Sequence, residues 1–132
     1  KESVLEGVPK SLPAVVKASR IQEKVAGVGF DWEEPAQVWE KVQEELTELN
    51  EEIKAGNKEN IEKEFGDVLF SMINYARFID VNPENALEKT NKKFINRFQF
   101  LEKAAKKEGK ELSEISLTEM DVYWEKSKKY FK

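Results

Sequence analysis

The sequence contains no cysteine and no histidine. Without cysteine there is no disulfide, which agrees with a reducing, cytoplasmic setting. Without histidine there is no Ser-His or Cys-His nucleophile pair, no imidazole-ligated zinc and no Glu-x-x-His di-iron site. A metal bound here must be held by oxygen, which favours Mg²⁺, Mn²⁺ or Ca²⁺. Glycine and proline are scarce, six and four in 132 residues, so there are few points at which helices must stop. No apolar run reaches membrane-spanning length and no signal-peptide pattern occurs, so no membrane partner is expected. A Gly-rich phosphate loop is also missing, which excludes a P-loop enzyme. The net charge of −4 gives no general attraction to nucleic acid or anionic lipid, although single Lys and Arg side chains can still hold phosphates. The stretch opens on Lys rather than Met, as a piece of a longer protein would.

What the chain does have is helical periodicity. Residues 1–11 read as a leader or linker, and residues 12–132 as one domain. A first helix is expected from Leu12 to about Ala26, with Pro13 in its first turn, where a missing N–H costs nothing. A loop with Phe30 and Trp32 follows. The second helix runs from about Pro35 to Ala55 with an apolar stripe of Val38, Val42, Leu46, Leu49 and Ile53, and Gly56-Asn57 ends it. The third is expected from Lys58 to Ile79. Asn82-Pro83 starts a fourth that Gly109 closes, and Ser116 with Glu119 has capping-box spacing at the start of a fifth. No strand pattern or internal repeat stands out. The expectation is all-α, a bundle of four to five helices.

The third helix is the centre of this reading. Phe65, Leu69, Met72, Ile73 and Ala76 share one side, and a helix greasy on most faces is usually central in its domain. One narrow polar strip, Glu64, Asp67, Ser71 and Asn74, breaks the pattern. Carboxylates on a buried helix are costly unless a cation meets them. The second helix offers Glu45 and Glu48 at the same three-residue spacing, with Glu40, Glu44 and Glu51 turned away from its stripe. A short connection makes the two helices antiparallel neighbours. The pairs can then meet as a four-carboxylate site for one or two hard divalent cations, with no basic residue among them. A lone Glu-x-x-Glu is ordinarily solvated helix surface; the strip on the apolar third helix is what sets this pair of motifs apart. On the fourth helix, Lys93 and Arg97 flank the apolar face. By themselves they read as surface cations with apolar stems, but beside a metal site they fit a polyphosphate grip.

These residues resemble the all-α nucleoside triphosphate pyrophosphohydrolases. Glu44-Glu45-x-x-Glu48 followed by Glu64-x-x-Asp67 is similar to their paired acidic motif. Val28-Gly-Phe-Asp-Trp32, Glu64-Phe-Gly-Asp-Val-Leu-Phe70 and Asn91-Lys-Lys-Phe94 with Arg97 resemble the MazG family, in its C-terminal domain. The resemblance runs from about Ser11 to Trp124. It implies Mg²⁺-dependent hydrolysis, with Mn²⁺ as a possible substitute, of nucleoside triphosphates to monophosphate and pyrophosphate. Broad, housecleaning specificity is implied as well, together with a homodimer or larger homo-oligomer that completes the bundle and its sites. Carried over by position, Glu45, Glu48, Glu64 and Asp67 would be metal ligands, with Glu45 or Glu48 taking the proton of water. Lys93 and Arg97 would hold the triphosphate and Trp124 would lie near the nucleotide. Glu44 matches the first acid of the motif, and its outward position argues against ligation. Trp32 and Phe30 are candidates for stacking on a base and equally for ordinary packing; Asn74 is a candidate contact either to the groups that hold the metal or to the nucleotide. Two other readings remain: a helical dimerisation module without chemistry, which leaves the acid strip unexplained, and a cation-stabilised domain that binds nucleotide without turnover.

Overall fold

Each helix begins and ends where the local chemistry asks it to. The computed structural model describes residues 2–132. It contains α1 (Ala14–Ala26), α2 (Pro35–Ala55), α3 (Lys58–Phe78), α4 (Pro83–Lys107) and α5 (Leu117–Ser127), with one 3₁₀ turn at Leu112–Glu114. The protein is all-α, with no strand among the described residues. Pro13 is the N-cap of α1 rather than part of its first turn. Pro35 opens α2 behind a capping box in which Gln37 Oε1 accepts from the Glu34 backbone N–H at 3.0 Å. Glutamate is an uncommon N-cap, which is why the box is not evident from the sequence. At Gly56 the backbone turns left-handed, φ 75°, a conformation that costs other residues ~1 kcal/mol or more. Asn57 then caps α3 by accepting from the Asn60 N–H at 3.1 Å. Ser116 caps α5 through the Glu119 N–H at 3.1 Å; the Glu119 carboxylate pairs with Lys110 at 3.0 Å instead of returning to the cap.

The chain forms two compact units, one ending at Glu84 and one spanning Asn85–Lys132. In the first, α1 and α2 both pack on α3. The two-residue connection Gly56-Asn57 makes α2 and α3 an antiparallel hairpin. Side-chain pairs run away from the turn in opposite chain directions: Asn60 Nδ2 donates to Glu52 at 3.3 Å, and further out the Trp39 and Tyr75 rings lie 5.1 Å apart. Val38 and Val42 are wholly buried. In the second unit, Leu101 and Ala105 of α4 pack with Ile115 and Tyr123, and Met120 and Trp124 border this cluster. The Tyr123 hydroxyl donates to Glu108.

One expectation about α3 is corrected. Only part of its apolar side faces the core of this chain: Ile73 and Ala76 are buried, whereas Phe65, Leu69 and Met72 are 54%, 48% and 43% exposed, and Ile61, Phe65 and Leu69 line an open groove of about 720 Å³. The inward residues are Ser71, Ile73 and Ala76. The same roll occurs in α2, where Leu46 and Ile53 are exposed while Glu45 is 5% exposed. The helices therefore meet along the edge that carries the acids, and much of their greasy surface is left outside.

Candidate metal centre

Glu45 lies on the buried stripe of α2, one turn beyond Val42, and Glu48 follows one turn later. Glu64 reaches toward them from α3. Each of these three carboxylates offers an oxygen, and the three oxygens lie within 4.8 Å of one another. Asp67 is exposed and is not one of this group, although it shares a small cavity of about 190 Å³ with Glu45, Lys41 and Asn74. Glu44 points away and pairs with Lys41 at 3.6 Å. The expectation that no basic residue stands among the acids is corrected as well. Lys41 Nζ is 2.9 Å from Glu45 Oε1, an i,i+4 pairing that helix spacing could have signalled.

One ammonium does not satisfy this cluster. Glu45 Oε2 and Glu64 Oε2 are shut off from solvent with no hydrogen-bond partner among the described residues, a costly state for carboxylate oxygens. Their environments split the acids. The Lys41 hydrogen bond holds Glu45 below its ordinary pKa, whereas the Glu45 charge pushes Glu48 up. Glu64 is pushed furthest, to about 7, by burial first and then by the charges of Glu48, Glu45 and Asp67. Hard oxygen donors in this number, with two unpartnered atoms, suit a divalent cation, whose charge would favour the ionised form of all three.

A pH effect on the metal-free chain follows. The folded pKa of Glu64, about 7, lies above the ordinary 4.5, so the folded chain keeps a proton that the unfolded chain has already released. Between those values stability falls as pH rises. In thermal melts with chelator at pH 5 and pH 8, Glu64→Gln is expected to lose less stability across the interval than the parent chain. Equal losses would contradict the assignment.

Beside the acids, the loop between α1 and α2 is tied to α3 over a sequence distance no local motif reveals. Arg77 donates to both oxygens of Asp31, at 2.6 Å and 3.0 Å, and this bond holds the Asp31 carboxyl below the usual range. Asp31 Oδ1 also accepts from the Trp32 backbone N–H at 2.9 Å. A cavity of about 460 Å³, bordered by Phe30, Trp32, Phe70, Asn74 and Arg77, opens here. Trp32, Phe70 and Asn74 border the small acidic cavity too.

In the second unit Lys93, half-buried, borders a basic hollow with Lys89, Lys92 and Lys132. Arg97 donates from Nε to the Phe131 carbonyl at 2.8 Å, and its guanidinium carbon lies 5.8 Å from the Trp124 ring centre. Trp124 is tilted against Phe94 at 5.0 Å.

Comparison with known proteins decides the family. The model of the MazG nucleotide pyrophosphohydrolase domain matches residues 33–100, a span that contains the whole acidic hairpin. The chain belongs to the MazG family. It is 44% identical over 128 residues to the nucleoside triphosphate pyrophosphohydrolase/pyrophosphatase MazG of Thermotoga maritima, covering 97% of this chain and 49% of that one. It is 37% identical over 131 residues to a nucleoside triphosphate pyrophosphohydrolase of Escherichia coli K12, covering 98% and 50%. YabN of Bacillus subtilis is 48% identical over 129 residues, 97% of this chain and 26% of its own length. The chain thus spans about half the length of the Thermotoga and Escherichia relatives.

Proposed function

We propose that the chain is a nucleoside triphosphate pyrophosphohydrolase, cleaving the α–β phosphoanhydride with water to give a monophosphate and pyrophosphate. One observation carries the reading: the hairpin of a MazG domain holds three clustered carboxylates, two of them with buried oxygens that have no hydrogen-bond partner among the described residues. The names of the Thermotoga and Escherichia relatives point the same way.

Glu45, Glu48 and Glu64 would hold Mg²⁺, or Mn²⁺ in its place, with Asp67 joining from the next turn of α3. When bound, the ion supplies neutralisation of phosphate charge and makes a coordinated water more acidic. Glu48 takes the proton of the attacking water. It has no ion pair among the described residues, unlike Glu45, which Lys41 already engages. Lys93 and Arg97 grip the triphosphate, and Trp124 lies near the nucleotide. The working form is a homodimer or larger homo-oligomer that covers the exposed apolar faces of α2 and α3. The setting is cytoplasmic, the specificity broad and of a housecleaning kind, and neither nucleic acid nor membrane is a partner. No helix is long and apolar enough to cross a membrane among the described residues.

The test is a panel of canonical and altered ribo- and deoxynucleoside triphosphates with Mg²⁺, assayed for monophosphate and pyrophosphate. Both products are expected in equal amounts. Tight nucleotide binding without product would favour a regulatory domain, and neither binding nor product would leave a helical dimerisation module.

A further inference from the structure

The amide of Asn74 stands between the two cavities beside the acids. Its oxygen accepts from Arg77 Nε at 3.2 Å and from the terminal guanidinium nitrogen bonded to Asp31 at 2.9 Å. A guanidinium has donors and no acceptor. The Asn74 oxygen must therefore face Arg77, and its NH₂ group must face away. Among the described residues, that NH₂ makes no hydrogen bond. The orientation is locked from two sides, because Arg77 is itself held by the bidentate pair with Asp31, a geometry that fixes direction as well as charge.

The setting indicates what such a donor would meet. The small cavity holds Glu45 and Asp67 at the phosphate end of the proposed site. The larger one, about 460 Å³, is bordered by the aromatic residues Phe30, Trp32 and Phe70, a size and lining suited to a flat heteroaromatic ring. A nucleotide with its phosphates at the acids would place its base in the larger cavity, across Asn74 from Glu45 and Asp67. We propose that Asn74 is a specificity-determining residue that donates a hydrogen bond to a carbonyl oxygen on the edge of the base, and that Asp31 and Arg77 are positioning residues that keep the donor turned toward it. The chain then favours nucleotides with an oxo group at that edge over those with an amino group. This inference rests on the nucleotide-hydrolase reading of the same site and adds the chemical class of base.

The experiment uses the full chain and its Asn74→Asp and Asp31→Asn variants. Binding of inosine and adenosine 5′-monophosphates is measured at equilibrium, and kcat and KM are measured for the corresponding ribo- and 2′-deoxy triphosphates with Mg²⁺. Inosine monophosphate is expected to bind more tightly than adenosine monophosphate by roughly three- to tenfold, the contribution of one neutral hydrogen bond. Asn74→Asp replaces the donor by an acceptor of the same shape and is expected to invert the order. Asp31→Asn is expected to raise KM and shrink the preference with kcat within about twofold; a merely structural role would lower the folded fraction and leave the ratio alone. An unchanged ratio in Asn74→Asp overturns the inference, as does a change confined to the ribo-to-deoxy ratio, which would put Asn74 on the sugar. Inosine preference with no hydrolysis would sink the hydrolase reading and leave the inference standing. Hydrolysis with no base preference would do the reverse, and absence of any nucleotide binding would sink both.

Discussion

Glu48→Ala is expected to lower triphosphate hydrolysis by roughly 10²–10³-fold with Mg²⁺ while leaving the helical content of the chain intact. The size follows from removing one carboxylate of a divalent site, worth several kcal/mol at the transition state, at ~1.4 kcal/mol per tenfold in rate. The fold should tolerate the change because Glu48 sits beside the core rather than within it. Its removal also relieves repulsion with Glu45, which is what raises the Glu48 pKa. Glu44→Ala provides the contrast. That side chain is 58% exposed and lies outside the cluster, so its loss should change the rate by less than about threefold. Circular dichroism and a pyrophosphate-release assay on both variants are sufficient. Full activity in Glu48→Ala, or equal damage from Glu44→Ala, would exclude the proposed division between inward and outward acids.

The second large effect is on association. Leu69→Asp is expected to weaken self-association by roughly 10²-fold or more, so that a dimer at micromolar concentration becomes a monomer by light scattering. Phe65, Leu69 and Met72 lie one turn apart along α3 with about half their surface in solvent. Covering a leucine stabilises by about 1.5–3 kcal/mol, and in a two-fold interface each substitution acts twice. The monomer should keep its helices, since Leu69 contributes little to the core of its own chain. A parent chain that stays monomeric at tens of micromolar would remove the dimer proposal outright.

The two effects share an origin that explains what the sequence did and did not reveal. The helix ends were legible because they are set locally: Pro35 and Pro83 at starts, Gly56 and Gly109 at left-handed stops, Ser116 at a cap. The pairing of Glu45 and Glu48 with Glu64 was legible because spacing on a helix and a short turn decide it. Which edge of α3 turns inward was not legible. Apolar periodicity identifies a surface that avoids water, but does not say whether the same chain or another copy covers it, and here Phe65 and Leu69 stay outside while Ser71 and Ile73 go in. Lys41 beside Glu45 was available from i,i+4 spacing. Arg77 with Asp31 was not, since the two residues belong to elements far apart in sequence and neither lies in a motif that announces the other.

Gly56 and Asn57 join the two halves of the acidic cluster with the shortest of connections. Glu45 and Glu64 therefore become neighbours as soon as one helical hairpin closes, at a small loop-entropy cost and on the roughly microsecond scale of local helix formation. A chain still emerging from the ribosome would own a complete set of acids once α3 has cleared the exit.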